Sequence, residues 1–148
     1  MADIKIVVGS TYGNAQTMAE DAAAQLTAMG HSVVILMKAK LSDLLVNDYD
    51  HLLVCTASIG EGEIPQNLIT LYNDLDAAGH SFDDKTYSVI ALGDSSYEYF
   101  ARAGELFDEL LASTKAKASI DTLFLDACEM SEAEDLLFDW VQRLESCF

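Results

Sequence analysis

Positively charged residues are scarce in this sequence. It has eight lysines and arginines against 25 aspartates and glutamates, which gives a formal net charge of −17 at pH 7. Nucleic acids and anionic membranes repel such a surface, so the composition argues against both as partners. A protein with a basic face would instead be steered towards it.

Long apolar runs and cysteines are also lacking. The hydrophobic residues, 51% of the chain, come in short blocks that never approach the roughly 20 residues of a membrane span. The first block is too short for a signal peptide, so we expect a cytoplasmic protein. The three cysteines, Cys55, Cys128 and Cys147, have no Cys-x-x-Cys spacing, which argues against a disulfide framework and a structural zinc site. We predict no metal site.

The apolar blocks alternate with amphipathic segments along 148 residues, a length that fits one domain. Because the blocks are rich in Val, Ile and Leu and nearly continuously apolar, they predict parallel strands buried on both faces. The predicted strands are Ile4–Val8, Val33–Met37, Leu52–Thr56, Tyr87–Leu92 and Ile120–Leu125.

The segments between these strands have helical spacing. The predicted helices are Ala15–Met29, Leu41–Val46, Gln66–Ala78, Tyr99–Ser113 and a last helix that begins with a capping box of Ser131 and Glu134. Strands alternating with helices predict an α/β fold with a doubly wound parallel sheet and helices on both faces. Ligands of such sheets bind beyond the carboxyl ends of the strands, where the strand order reverses.

The loop after the first strand, Gly9–Thr17, is rich in hydroxyls and small residues. It leads into a helix, whose first N–H groups and dipole favour an anion. It lacks the lysine of a P-loop and the glycine spacing of a dinucleotide-binding loop. We interpret it as a phosphate site, and the alternative is a plain helix cap with turn residues.

The loops after the third and fourth strands suggest a flat ligand. Gly60 and Gly62 let the backbone approach a ring closely. Tyr97, Tyr99 and Phe100 follow the fourth strand, and a ring such as Tyr97 can stack on a planar group. The alternatives are a flexible turn and ordinary core packing of Tyr99 or Phe100. Together the three loops predict a planar ring that carries one phosphate.

These loops resemble a known family. The stretches STYGNA at Ser10–Ala15, ASIGEGEIP at Ala57–Pro65 and LGDSSYEYF at Leu92–Phe100 are similar to the flavin loops of the FMN domains of sulfite reductase flavoprotein and cytochrome P450 reductase. The whole chain resembles a short-chain flavodoxin, most like the MioC type. The resemblance implies a flavodoxin-like five-stranded sheet of order 2-1-3-4-5, one domain over residues 1–148, bound FMN, and no room for a reductase module.

The resemblance also implies site residues. Those around the FMN phosphate are Ser10, Thr11, Tyr12, Gly13, Asn14 and Ala15. Those along the edge and inner face of the ring are Ala57, Ser58, Ile59 and Gly60. Those that flank the ring are Leu92, Gly93, Asp94, Tyr97 and Phe100, with Tyr97 stacked on one face and Asp126 nearby as an acid.

Ile59 departs from the family pattern, because many relatives have an aromatic residue there. A lost aromatic contact is worth roughly 0.5–1.5 kcal/mol beyond burial, so we expect weakened FMN binding.

The function implied is that of a monomeric electron carrier with no catalytic residues, because the flavin supplies the redox chemistry. Its donor would be a basic-faced NADPH-dependent flavodoxin or ferredoxin reductase, and its acceptors downstream redox enzymes. Three alternatives are compatible with an α/β fold of this kind: an FMN-dependent NAD(P)H:quinone reductase, a flavin-free regulatory or scaffold protein, and a response-regulator receiver. The receiver is set aside because its acidic cluster, phospho-acceptor and lysine are missing from Gly9–Thr11, Thr56–Ser58 and Asp126–Cys128. His31, His51 and His80 are interpreted as structural or solvated.

Overall fold

The computed structural model describes residues 1–10, 13–59, 62–94 and 101–148. Its strands are β1 (Asp3–Gly9), β2 (Ser32–Leu36), β3 (His51–Ala57), β4 (Thr86–Gly93), β5 (Lys117–Ala118) and β6 (Leu123–Asp126). Its helices are α1 (Asn14–Ala28), α2 (Leu41–Leu45), α3 (Gln66–Ala78), α4 (Arg102–Ser113) and α5 (Met130–Glu145), with a 3₁₀ turn at Ala127–Glu129. The predicted alternation of strands and helices is confirmed.

All the strand pairs of the sheet are parallel. Its order is β2-β1-β3-β4, and both β5 and β6 pair with the outer edge of β4. Because β1 lies between β2 and β3, the chain leaves β1 in one direction for β2 and returns past it to β3. The strand order therefore reverses between β1 and β3, as the predicted order 2-1-3-4-5 requires.

The fifth strand was predicted as one segment, Ile120–Leu125, and its bounds are wrong. The structure divides it: β5 pairs up to Tyr87↔Ala118, and pairing resumes at Ile90↔Leu123. Between these pairs the edge chain holds two more residues than β4, which produces a bulge. One cause is Trp140 of α5, whose indole Nε1 donates a hydrogen bond to the Asp121 carbonyl at 2.9 Å and draws it away from the ladder.

The sheet separates two apolar layers. On one face α1 and α5 pack against Ile4, Ile6 and Val8, while Val7 points into the opposite layer with α3 and α4. Each of these β1 side chains is at most 1% exposed, which explains why the strand carries apolar residues on both faces of the sheet. Within the described residues, no helix is both long and apolar enough for a membrane span.

Only some of the helix ends lie where the sequence predicts them. Gly30 and Gly79 adopt φ of +97° and +61° just after α1 and α3, the left-handed conformation in which glycine commonly ends a helix. The capping box predicted at Ser131 and Glu134 is wrong, because α5 begins earlier, at Met130. The Asp126 carboxylate instead accepts a hydrogen bond from the Cys128 N–H at 2.9 Å and caps the preceding turn. The predicted start of the fourth helix, Tyr99, lies outside the described residues.

Two histidines are structural, as predicted. His31 is buried, accepts a hydrogen bond from the Ala2 N–H at 2.9 Å and lies 3.2 Å from Glu145. His51 is fully buried in β3, 2.8 Å from the Thr86 hydroxyl and 2.7 Å from the Ser88 hydroxyl. Burial lowers the pKa of His51 to about 3, so the ring is neutral in the folded protein.

The burial of neutral His51 predicts acid sensitivity. In the unfolded chain its pKa is about 6.5, so the unfolded state binds a proton that the folded state excludes as the pH falls from 6.5 towards 3. Between pH 7 and pH 5 the free energy of unfolding should therefore fall by roughly 2 kcal/mol more in the native chain than in a His51→Gln variant. Urea denaturation at both pH values measures this difference.

The matched control for this prediction is His80→Gln, since His80 is exposed. This variant should keep the native pH dependence of unfolding. A His51→Gln protein that loses stability with acid as steeply as the native chain would contradict the assignment.

Candidate functional site

Four strands end side by side at one edge of the sheet. The register pairs Gly9 of β1 with Thr56, Ala57 of β3 with Leu92, and Gly93 of β4 with Asp126 of β6. The loops that follow these strands therefore leave from the same edge, where the strand order reverses. This is the place where doubly wound sheets bind their ligands.

The loop after β1 closes on itself before α1 begins. The Ser10 hydroxyl accepts a hydrogen bond from the Gly13 N–H at 2.9 Å. Gly13 has φ of +89°, which costs other residues roughly 1–2 kcal/mol. The first turn of α1 contains no acidic residue, so its free N–H groups and positive dipole end face outward without a competing charge.

Gly9 lets this loop lie tightly against β3. A Cβ at this position would collide with the side chains of Thr56 and Leu68, both fully buried. Only glycine allows the end of β1 to approach these two side chains so closely.

Asn67, in the first turn of α3, binds the same loop from the other side. Its amide oxygen accepts a hydrogen bond from the Ser10 N–H at 3.0 Å, and its amide nitrogen donates to the carbonyls of Val8 at 2.8 Å and Met37 at 3.0 Å. Sequence reasoning missed this residue. Its one sequence signal is a short amide side chain directly before the apolar face of a helix.

The loop after β3 is a tight turn. The backbones of Ile59 and Glu63 exchange hydrogen bonds of 2.9 and 2.8 Å, and Gly62 has φ of +91°. Ser58 joins this loop to its neighbours: its N–H donates to the Leu92 carbonyl at 3.1 Å, and its hydroxyl accepts from the Ala103 N–H at 2.9 Å in the first turn of α4. The Ser58 side chain thus caps a helix.

An acidic group lies where β4 and β6 end. The Cys128 thiol donates a hydrogen bond to Asp94 at 3.1 Å. A carboxylate oxygen of Asp94, a carboxylate oxygen of Asp126 and the Sγ atom of Cys128 all lie within 4.8 Å of one another. The hydrogen bond to Asp94, with burial and the charges of both carboxylates, raises the pKa of Cys128 to about 11. The thiol is therefore protonated at neutral pH and is a poor nucleophile.

The predicted site residues fall into three groups. Five lie outside the described residues: Thr11, Tyr12, Gly60, Tyr97 and Phe100. Two have side chains packed in the core and offer only backbone groups to a ligand: Ala15 and Leu92. The others meet at the carboxyl edge: Ser10, Gly13, Asn14, Ala57, Ser58, Ile59, Gly93, Asp94 and Asp126.

This edge suits FMN chemically. A single phosphate needs N–H and hydroxyl donors, which the start of α1 and its preceding loop supply. A flat ring needs backbone segments that lie close to one another, and Ala57–Ile59 after β3 and Gly93 at the end of β4 lie side by side at this edge.

Comparisons with known proteins agree with this geometry. Residues 6–140 match the flavodoxin family. The chain is 39% identical to flavodoxin YqcA of Escherichia coli over 144 residues, 97% of this chain and 96% of that protein. It is 30% identical to the MioC homolog of Haemophilus influenzae, covering 93% of each chain.

Two further proteins extend the comparison. The sulfite reductase flavoprotein alpha-component of Bacillus subtilis is 34% identical over 116 residues, 78% of this chain but 19% of that longer protein. The solved structure of a flavodoxin from Streptococcus pneumoniae superposes with a TM-score of 0.88 at 29% identity, covering 99% of this chain and 100% of that chain. The chain belongs to the flavodoxin family and is an FMN-binding electron-transfer protein, a carrier and not an enzyme.

Proposed function

We propose that residues 1–148 act as one monomeric, cytoplasmic flavodoxin domain that accepts single electrons from an NADPH-dependent reductase with a basic face. It then delivers them to other redox enzymes. The observation that carries this proposal is that β1, β3 and β4 end side by side at the edge where the strand order reverses. Such a site binds one cofactor and leaves its rim open to partners.

The FMN phosphate would lie at the start of α1. Donors come from two sources: N–H groups at the first helical positions, beginning with Asn14 and Ala15, and the loop residues Ser10, through its hydroxyl, Thr11 and Tyr12. Gly13 forms the turn between the two. All of these donors are uncharged, so the phosphate is held by hydrogen bonds and the helix dipole.

The flavin ring would lie between the second and third loops. Its edge and inner face would contact Ala57, Ser58, Ile59 and Gly60, and its flanks would contact Leu92, Gly93, Asp94, Tyr97, Phe100 and Asp126. Bound FMN supplies one-electron redox chemistry, which the protein tunes through the charges and hydrogen bonds around the ring. Tyr97 would cover one face of the ring.

The carboxylates at this site determine whether the protein would raise or lower the reduction potential of the flavin. Asp94 lies directly after β4 and Asp126 ends the adjacent strand β6, and both carboxylates raise the pKa of the Cys128 thiol. Negative charges oppose the addition of electrons to a nearby ring. They therefore favour a low midpoint potential for the second electron.

Replacing Asp94 with Asn should raise the midpoint potential of the second one-electron reduction. The amide keeps an oxygen that can accept the hydrogen bond from Cys128 but removes the charge. Loss of roughly 1 kcal/mol of repulsion corresponds to about 40 mV for one electron. Anaerobic spectroelectrochemical titration of the FMN-loaded protein measures this shift.

The control is Asp83→Asn, because Asp83 is exposed before β4, at the amino edge of the sheet. Its potential should equal that of the native protein. An Asp94→Asn potential that is unchanged or lower would exclude Asp94 from the surroundings of the ring.

Replacing Ile59 with Tyr should tighten FMN binding. The half-buried Ile59 is held in place by its backbone bonds with Glu63, so a ring attached there would face the site from a fixed position. An added aromatic contact of roughly 0.5–1.5 kcal/mol corresponds to a two- to tenfold lower Kd. Titration of flavin-free protein with FMN, followed by fluorescence quenching, gives the Kd. Leu136→Tyr on the exposed side of α5 is the control, and equal Kd changes in both variants would refute the prediction.

A negatively charged rim surrounds the proposed flavin site. Glu63 and Glu129 are exposed at the carboxyl edge beside Asp94 and Asp126. Arg102, at the start of α4, lies in the same region but forms ion pairs of 3.4 and 3.5 Å with Glu105 and Glu109. Opposite charge on a reductase would therefore steer the two proteins together at this edge.

Electron transfer from a basic-faced flavodoxin reductase should slow as salt rises, because salt screens the attraction. A double variant, Glu63→Gln with Glu129→Gln, should react about two- to fivefold more slowly at low salt and like the native protein at 0.5 M salt. Stopped-flow reduction by NADPH and the reductase measures both rates.

The control is a double variant, Asp76→Asn with Asp83→Asn, which should keep the native rates, since both residues are exposed towards the other end of the sheet. A salt-independent native rate would disprove steering, and reduction by NADPH without the reductase would show an enzyme.

A further inference from the structure

Asn67 uses its whole side-chain amide to join three segments of the chain. It accepts a hydrogen bond from the Ser10 N–H and donates to the carbonyls of Val8 and Met37, with distances between 2.8 and 3.0 Å. Val8 is near the end of β1, and Met37 directly follows β2. The bonds therefore connect the ends of two strands to the loop between β1 and α1.

These hydrogen bonds determine which N–H groups of the loop are already bonded within the protein. The Ser10 N–H is bonded to Asn67, and the Gly13 N–H is bonded to the Ser10 hydroxyl at 2.9 Å. Both donors are therefore satisfied within the protein. The N–H groups at the start of α1 remain without an intrahelical acceptor, and the two internal bonds fix the loop in front of them.

We propose that Asn67 is a positioning residue that holds the phosphate loop in its binding conformation through Ser10 before the cofactor arrives. This inference rests on the proposed function, in which residues 10–15 hold the FMN phosphate. Asn67 contacts the loop and not the phosphate. Its effect is to avoid the entropy cost of ordering the loop upon binding.

A purely structural role for Asn67 is the competing explanation. Helix α3 is anchored independently of Asn67, because Leu68, Leu71 and Leu75 are each at most 2% exposed against the sheet. Loss of the amide therefore leaves the helix in place and frees the loop. A positioning role affects only ligands that carry the phosphate, whereas general loosening of the fold affects all flavins alike.

The test compares FMN with riboflavin, which has the same ring and no phosphate. Flavin-free native protein, Asn67→Ala and Asn73→Ala are each titrated with both ligands. Asn73 is exposed on the same helix and is the matched control. In Asn67→Ala the Kd for FMN should rise about fivefold or more, while the Kd for riboflavin stays within about twofold of the native value. Asn73→Ala should match the native protein for both ligands.

The outcomes separate this inference from the function on which it rests. If the native protein bound FMN no better than riboflavin, that result would disprove the phosphate site itself. A native protein that prefers FMN, with the same preference in Asn67→Ala, would overturn only the role of Asn67. Equal weakening of FMN and riboflavin in Asn67→Ala would show a structural role and also overturn the proposal.

Amide hydrogen exchange on the flavin-free native protein provides a test that needs no variant. The Ser10 and Gly13 N–H groups should exchange at least about tenfold more slowly than unprotected amides, because both are bonded before any ligand is present. Exchange at the unprotected rate would show that the loop is not held in advance and would overturn the proposal, even if Asn67→Ala failed to fold.

Discussion

The parallel pairing of β1 with β2 on one side and β3 on the other is the constraint on which the rest of this structure depends. Parallel strands end at the same edge, so the polar loops after β1, β3 and β4 collect there while the apolar strand bodies are buried by helices on both faces. Because the order reverses between β1 and β3, the helices that follow these strands, α1 and α3, pack on opposite faces of the sheet, which is the arrangement in which doubly wound sheets bind their ligands. A cofactor site thus follows from backbone topology before any particular side chain is considered.

Side chains from distant parts of the chain then give the loops their shape. Asn67 holds the loop after β1, Ser58 ties the second loop to β4 and caps α4, and Asp126 caps the turn that leads to α5. Each uses short polar groups to satisfy backbone atoms that the end of a strand or helix leaves without partners. The rigidity that a binding site needs is therefore produced by contacts within the protein: those of Asn67 lie outside the surface that a ligand would touch, and those of Ser58 and Asp126 lie at its border.

More of the fold than of the site can be predicted from the sequence, and the reasons are physical. Strands and helices follow from local apolar periodicity, which explains why the order of elements and the predicted sheet are confirmed. The bulge between β5 and β6 depends on Trp140, which is 19 residues from the carbonyl it binds, and the contact between Asn67 and Ser10 spans 57 residues. No local pattern contains such contacts. The capping box at Ser131 failed for a related reason, since Asp126 had already turned the chain and α5 started earlier.

Two of the eight cationic side chains of this chain, Lys5 and Lys85, are buried away from the proposed flavin site, while Arg102 beside it is paired with Glu105 and Glu109. Lys5 and Lys85 are buried beside the Tyr49 ring, with their Nζ atoms 4.9 and 4.6 Å from its centroid, and Lys5 pairs with Asp48 at 2.7 Å. Lys5, Lys85 and Tyr49 stabilise the opposite half of the sheet, which leaves the carboxyl edge in a negative field. In the proposed function, neutral donors would hold the phosphate there, because a lysine beside it would offset the carboxylates that are proposed to lower the potential. One distribution of charge would then favour both a strongly reducing flavin and attraction to a basic reductase, at the cost of weaker phosphate binding.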